Sequence, residues 1–329
     1  MTKRAWSAWA DPKDILDLLR LSLPIAVSRA SFMLMMLTDT IVLGRNRPEE
    51  LPYVLNSHLP VGVLLGLSLG ILLGVSVMTA EFSGKGEAHQ TGRIFRRGVV
   101  SALLLGIVGV VPMFFGAHWL YSSLGFEGAV LEGTTIVTRI LAFAMLAQIF
   151  NTTMTYYLEA LRKPLLVSVA MYIGVVVNLI LDLAFVSGSW GFPELGIRGA
   201  AIASVATQIA SLVPLVLYIR RRLPEHALFQ RMWRPDWEAF GRVFALGVPI
   251  GLTTLAEVGL FSASSVMMGW LGEVPLAAHG IAVSVAGLTF MAHLGLSNAA
   301  TIRVGNALGR GDKAHMVRGA IVVTVASLA

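Results

Sequence analysis

Long apolar segments alternate with short polar segments along almost the whole chain. Each is long enough to cross a bilayer as a helix, because a transmembrane helix needs about 20 residues. The eight segments are residues 21–43, 51–80, 99–120, 135–158, 165–186, 199–219, 243–271 and 276–304. A ninth apolar segment follows Arg318 and contains eleven residues. The pattern predicts an all-α polytopic membrane protein with eight full transmembrane helices and a partial ninth.

The same sequence plan occurs twice, at an offset of 225 positions. Pro24 and Ile25 align with Pro249 and Ile250 without a gap. Further identities at this offset are Gly44 with Gly269, Leu51 with Leu276, Gly62 with Gly287, Gly70 with Gly295, Gly84 with Gly309, Gly86 with Gly311 and Arg93 with Arg318. Because proline and glycine fix bends, turns and close approaches, this predicts a duplicated backbone rather than shared hydrophobicity.

The repeat divides the chain into three parts. Residues 1–220 are predicted to form an N-lobe of six helices, residues 221–240 a cytoplasmic linker, and residues 241–329 a partial C-lobe with helices 7, 8 and the start of 9. Six spans per repeat give both copies the same orientation, so a pseudo-twofold axis along the membrane normal should relate them. A complete second copy would extend to about residue 445, so the C-lobe is expected to be incomplete.

Charge supports the membrane class and predicts an orientation. Charged residues make up 13% of the chain, against about 25% in a soluble domain. Of the 25 Lys and Arg residues, 19 lie in the N-terminal tail and the even-numbered polar loops, which the positive-inside rule places in the cytoplasm. This alternation accounts for the net charge of +6, so no nucleic-acid partner is expected.

A few ionisable or amide side chains lie within the predicted spans. They are Asp39 in helix 1, Asn178 and Asp182 one turn apart in helix 5, and Glu257 near the middle of helix 7. Such residues are costly in a bilayer and usually face the interior of a bundle or a water-filled cavity. Each alone is equally compatible with a structural ion pair, but together in a duplicated bundle they favour an ion or substrate pathway.

Further charged residues lie inside or at the ends of the spans. Arg29 and Arg139 are intramembrane, and either can neutralise a carboxylate from another helix. Glu81 and Glu159 lie near cytoplasmic helix ends and are expected to extend their carboxylates towards water.

Glycine recurs every fourth residue in helix 2, at Gly62, Gly66, Gly70 and Gly74. This ladder predicts that another helix packs closely against helix 2. The segment 66–70 also matches the nucleophile elbow of hydrolases, but it lies within a span and lacks the strand–turn–helix context.

Enzymatic chemistry has no other support in the sequence. The chain has no Cys and no H-E-x-x-H motif, and His279 and His293 have no second ligand at metal spacing. No enzyme activity and no cofactor are therefore expected.

Several short segments resemble the multidrug and toxic compound extrusion (MATE) transporters. They are LSLPI at 21–25, LTDTI at 37–41, FSGKG at 82–86, NLILD at 178–182, GAAIAS at 199–204, LGVPI at 246–250, LAAH at 276–279 and ATIRVG at 300–305. The resemblance covers the whole chain. It implies twelve helices in two lobes and export of cationic, amphipathic compounds in exchange for protons or sodium.

The resemblance also assigns roles to particular residues. Asp39, Asn178 and Asp182 match the family's N-lobe cation or proton site, and Ser204 keeps a hydroxyl where many members have Thr. Glu257 matches an acid that some members use in a C-lobe sodium site. Sodium is thus possible at Glu257 or at Asp39 with Asp182. The helix-bending residues are Pro24 and Pro249.

The sequence therefore predicts a cation-coupled efflux antiporter of the inner membrane. A monomer is expected, with its N-terminus in the cytoplasm, membrane lipids around it and small cationic or amphipathic substrates. The residues leave open the substrate and the choice between H⁺ and Na⁺. Two alternatives stay open: a lipid-linked precursor flippase of related architecture, whose cavity is expected to be more basic, and a non-transporting remnant of a longer protein.

Overall fold

The computed structural model describes residues 12–226, 228 and 236–328, and these residues are almost entirely helical. The α-helices are α1 (Pro12–Asn46), α2 (Leu51–Lys85), α3 (Ala88–Ser123), α4 (Gly128–Ala160), α5 (Pro164–Phe185), α6 (Ile197–Arg222), α7 (Trp237–Leu271), α8 (Glu273–Gly309) and α9 (Lys313–Leu328). Within this part of the chain, eight helices are long and apolar enough to span a membrane, which confirms the predicted class. Residues 1–11 and 329 lie outside the described residues, as do residues 227 and 229–235 of the predicted linker.

The helices extend beyond the apolar segments that predicted them. Helix α3 begins at Ala88, eleven residues before its apolar segment begins at Val99. The added turns contain Arg96 and Arg97, which are both buried. Because these arginines are packed against protein, a hydropathy pattern places the start of the helix too late.

The first six helices, α1–α6, form a bundle that we call the N-terminal bundle. Its main apolar core includes Leu65 and Leu72 of α2 and Leu141, Met145 and Ile149 of α4. Polar side chains of α1, α5 and α6 face a cavity inside this bundle.

Helix geometry repeats at the offset that the sequence predicts. Helices α1 and α7 are both 35 residues long, and Pro24 and Pro249 are each the thirteenth residue of their helix. The turns after α2 and α8 place Gly86 and Gly311 in the left-handed region, with φ of +77° and +72°. Side chains with a Cβ rarely adopt this conformation, so glycine is favoured at both turns.

Contacts between the two halves are reciprocal, as a twofold axis demands. A Cβ on Gly84 would lie 2.2 Å from the backbone oxygen of Asn306, and a Cβ on Gly309 would lie 2.0 Å from that of Glu81. Gly309 and Asn306 each stand 225 positions after Gly84 and Glu81, so the second contact is the first with the halves exchanged. The pseudo-twofold axis is therefore visible in individual residues.

The two halves meet at one end of the spans. Gly70 of α2 approaches the backbone of Gly251 in α7, and Gly295 of α8 approaches the backbone of α1 at Ser22. These positions lie towards the end that carries Lys85. Towards the opposite end, a Cβ on Gly62 of α2 would meet no atom within 4 Å. The closest backbone approaches between the halves thus lie towards the basic end.

Candidate functional site

A cavity of about 240 Å³ lies inside the N-terminal bundle, between α1, α2, α4, α5 and α6. Its polar lining comprises Asp39, His58, Gln148, Asn178, Ser204, Thr207 and Gln208. Phe32, Met35 and Met36 of α1 supply an apolar wall on the same side as Asp39. The cavity therefore combines one acid with amides, hydroxyls and a flexible apolar surface.

Asp39 and Asn178 form the centre of the polar lining. The Nδ2 of Asn178 donates a hydrogen bond of 2.9 Å to the Oδ1 of Asp39, which joins α5 to α1. Both side chains are buried, with 9% of Asp39 and 1% of Asn178 exposed. The structure thus brings together two predicted site residues that lie 139 positions apart in the sequence.

Asp182 lies one turn after Asn178, behind Asp39 rather than in the cavity lining. It is fully buried, and its carboxyl group interacts directly with that of Asp39. Neither of its side-chain oxygens accepts a hydrogen bond from an N–H or O–H group of the described residues. Two adjacent carboxylates in a low-dielectric interior repel each other, so the pair requires a proton or another cation between or beside them.

The hydroxyl of Ser204, on α6, interacts with the carboxyl group of Asp39. Together with Asp39 and His58 it also borders a second, narrow pocket of about 10 Å³, which extends towards the first residue of α6, Ile197. A space of this size holds about one water molecule. Asp39 thus lines both the main cavity and the narrow pocket.

The other predicted site residues lie elsewhere. Glu257 is the twenty-first residue of α7, is exposed, and does not line the cavity around Asp39. Pro24 lies deeper in α1, where the hydroxyl of Ser168 in α5 donates a hydrogen bond of 2.7 Å to its carbonyl oxygen. Pro249 occupies the corresponding position of α7.

The prediction that both Glu81 and Glu159 extend towards water is wrong for Glu159. Glu159 does not extend to water, since its side chain is 1% exposed. It forms a 2.8 Å ion pair with Arg29 of α1, whose guanidinium compensates the buried negative charge. Glu81 is partly exposed and pairs with Lys85 one turn later. Arg139 pairs with no carboxylate of the described residues and donates instead to the backbone oxygen of Phe114.

His58, Gln148 and Gln208 are cavity residues that sequence reasoning missed. Each is a polar side chain within an apolar span, which is the signal that identified Asp39. The amide of Asn151 donates to the Oε1 of Gln208 at 3.2 Å, so α4 and α6 carry a polar connection deeper into the bundle. Among the described residues, no group of three His, Cys, Asp or Glu side chains is placed to hold a metal ion.

Comparison with known proteins agrees with this architecture. A family model described as MatE matches residues 24–184 and 249–329. Two curated relatives described as probable multidrug resistance protein NorM, from Agrobacterium fabrum and Rhizobium meliloti, are each 34% identical over 87% of the chain. The chain spans 62% of the length of each of these relatives.

A solved structure shares the fold. It is described as the outward-facing conformation of a multidrug resistance MATE family transporter, and it matches 99% of the chain and 71% of its own length with a TM-score of 0.83. At 22% sequence identity, this likeness shows the fold. The helix arrangement, the paired halves and the match of the family model to both of them lead to one assignment: the chain belongs to the MatE family.

Proposed function

We propose that this chain acts in cation-coupled multidrug efflux, as an antiporter of the inner membrane. The N-terminal bundle is one lobe, residues 221–240 are a cytoplasmic linker, and α7–α9 belong to the second lobe. The observation that carries the proposal is the Asp39–Asp182 carboxyl pair, held by Asn178 beside a cavity whose described lining residues include no Lys or Arg. Such a site attracts positive charge and offers none of its own apart from His58.

Exchange follows from competition for this charge. A buried carboxyl group is more stable when it is neutral or paired with a cation. A proton or sodium ion therefore occupies the pair when no substrate is present, and a cationic substrate displaces it. The same site then cannot hold both, which couples the two movements in opposite directions.

The apolar wall of the cavity supports a substrate that is amphipathic as well as cationic. Phe32 presents an aromatic ring that attracts a cation through its face. Met35 and Met36 are unbranched and adapt to irregular ligands. A site of this kind accepts several shapes, provided that each carries a positive charge near Asp39.

The flippase alternative is less well supported. Recognition of an anionic lipid-linked precursor requires basic side chains in the cavity, and the described part of the lining contains Asp39 but no Lys or Arg. Arg29 is already paired with Glu159. The charge of the cavity is thus opposite to the one that such a substrate needs.

Either coupling ion fits the chemistry of the carboxyl pair. Asp182 and Asn178 have side-chain oxygens without a donor in the described residues, and these can meet a proton or ligate sodium. Glu257 is a weaker candidate for sodium, because one carboxylate does not replace the several oxygens that a dehydrated cation needs. We propose that the protein works as a monomer among membrane lipids, without a cofactor or nucleic-acid partner, with its N-terminus and basic loops in the cytoplasm.

Binding of a lipophilic cation tests this proposal without requiring transport. Tetraphenylphosphonium is titrated calorimetrically into the purified 329-residue chain in detergent, with and without added sodium. The substitution Asp39→Asn should lower affinity by at least about tenfold, which corresponds to about 1.4 kcal/mol. The matched acid-to-amide control, Glu81→Gln, lies outside the cavity lining and should bind like the unsubstituted protein. Undiminished binding by Asp39→Asn would show that this carboxyl group is structural.

A further inference from the structure

His58 borders the candidate site from α2, a helix that carries none of the residues Asp39, Asn178, Asp182 and Ser204. It is the eighth residue of α2 and is only partly buried. It borders the large cavity and also the narrow pocket, and the polar side chains common to both are Asp39, His58 and Ser204. The imidazole therefore lies where the two spaces meet, beside the acid at the centre of the site.

Among the described residues that line the two pockets, the charged neighbour of His58 is Asp39, against which Asp182 of α5 packs. Burial disfavours a positive charge on this imidazole, and the negative charge of Asp39 on helix α1 opposes that effect. Helices α4 and α6 contribute uncharged side chains to the narrow pocket, namely Val137, Leu141, Ile197, Ala200, Ala201 and Ser204. Arg139, also on α4, is turned towards α3 and bound to the backbone of Phe114. The protonation of His58 is therefore coupled mainly to what occupies the carboxyl pair.

Imidazole is the side chain whose charge changes near neutral pH. A protonated His58 supplies a positive charge to Asp39 when no organic cation is bound. When an organic cation enters the cavity, two positive charges would share one small apolar space, and their repulsion favours loss of the proton. The narrow pocket also borders His58 and Asp39, and it extends the space beside them as far as Ile197, the first residue of α6.

We propose that His58 is a proton-exchanging residue of this site: binding of an organic cation beside Asp39 releases a proton from the His58 imidazolium to water. The step balances, since one bound proton is exchanged for one bound monovalent cation and no covalent bond other than N–H breaks. The inference rests on the proposed cation-binding function and adds to it a second titrating group on α2.

Proton release during cation binding tests the role of His58. Tetraphenylphosphonium is titrated into the chain in buffers that differ in ionisation enthalpy, at several values between about pH 5.5 and 8.5, where imidazole changes charge. The unsubstituted protein should release more protons per bound cation than His58→Gln near pH 6. Its affinity should also fall more steeply on acidification, by up to about tenfold per pH unit, as expected for one linked proton.

Two controls separate His58 from general effects. His89→Gln removes an exposed histidine of α3 and should leave proton release unchanged. Near pH 8.5, where a histidine of ordinary pKa is neutral, His58→Gln and His58→Asn should both bind like the unsubstituted protein. Loss of binding by both variants at that pH would overturn the inference by making His58 a direct contact.

Equal proton release by the unsubstituted protein and His58→Gln would also overturn the inference, while leaving cation binding itself intact. Failure of the unsubstituted protein to bind the cation at any pH would instead contradict the proposed function. The two failures are thus distinguishable in one set of titrations.

Discussion

Arg303 of α8 forms two hydrogen bonds with Asp14, at the start of α1. Its Nη1 donates to the backbone oxygen of Asp14 at 2.5 Å, and its Nη2 donates to the carboxylate at 2.9 Å. Arg303 is 1% exposed, so this contact between the two halves of the molecule is buried. It adds a charged link to the end where the halves already meet through glycines.

The Asp14–Arg303 link has no counterpart across the pseudo-twofold axis. The equivalent positions, 225 residues away, are Ala239 and Met78, and both are buried and apolar. The duplicated backbone therefore carries an ion pair on one side and apolar packing on the other. The link thus stabilises the contact between the halves on one side of the axis only.

Asp14→Asn should weaken the contact between the halves. The change leaves Arg303 without its anionic partner, which is expected to lower the stability of this state by about 1.5–3 kcal/mol. Because the chain has no native Cys, spin labels at Glu87→Cys and Arg310→Cys report the separation at the basic end. The label distance should become longer or broader. Asp17→Asn, whose exposed carboxylate pairs with Arg162 at 3.6 Å, should leave the distance unchanged.

The glycine ladder of α2 should respond to alanine by position. A Cβ on Gly70 would lie 2.3 Å from the Cα of Gly251, and backbone cannot move aside as a side chain can. Gly70→Ala should therefore destabilise the contact of α2 with α7 by about 1–3 kcal/mol or more. Gly62→Ala, in the same ladder, meets no atom within 4 Å and should be neutral or slightly stabilising. Thermal unfolding of the two variants should separate them; equal midpoints would contradict close backbone packing between α2 and α7.

How far the fold follows from the sequence is clear from the repeated prolines and glycines. Gly84 and Gly309 lie against backbone where a Cβ would clash, and Gly86 adopts a left-handed turn that favours glycine, so the repeated glycines indicate a duplicated backbone. The number of spans follows from hydropathy for the same elementary reason, since a bilayer imposes a minimum length. Tertiary context decides what remains, as the buried arginines at the start of α3 show.

The candidate site follows from the sequence only in part. Asp39 and Asn178 are recognisable as costly polar residues in apolar spans, and the structure joins them. Hydropathy does not indicate which of these side chains lines the cavity. The structure shows that Asp39 lines it and that Asp182 is fully buried outside the lining. The partner of Glu159 is equally hidden, because Arg29 lies 130 positions away and only packing brings α1 and α4 together.

Removing the charge of Glu159 should cost more than removing that of Glu81. Glu159→Gln leaves the Arg29 guanidinium, 21% exposed, without its 2.8 Å carboxylate partner, and breaking such a buried pair costs about 3–5 kcal/mol. Glu81→Gln removes a partly exposed pair within one helix, which is worth about 0.3–0.5 kcal/mol. Chemical or thermal unfolding in detergent measures both changes. Similar stabilities for the two variants would mean that water or lipid headgroups replace the carboxylate at Arg29.

The segment that follows α6 is fixed to the N-terminal bundle by His226. Its Nδ1 lies 2.6 Å from the Thr91 hydroxyl and 2.8 Å from the Tyr157 hydroxyl, and its backbone oxygen packs against Gly92. Burial lowers the pKa of His226 below its ordinary value; Glu225 opposes this shift and Lys163 adds to it. The folded protein therefore binds this proton less readily than the unfolded chain does.

Acidification should loosen this attachment. Because the folded pKa of His226 is the lower one, its stabilising contribution is complete above the unfolded value of about 6.5 and is lost as the pH falls towards the folded pKa. Between about pH 7.5 and 5.5, across the range in which histidine titrates, the unfolding midpoint of the unsubstituted protein should fall more than that of His226→Gln. His89→Gln should keep the steeper dependence, since this histidine is exposed. Parallel pH profiles for the protein and His226→Gln would show that the hydroxyls of Thr91 and Tyr157 hold the imidazolium as well as the neutral ring.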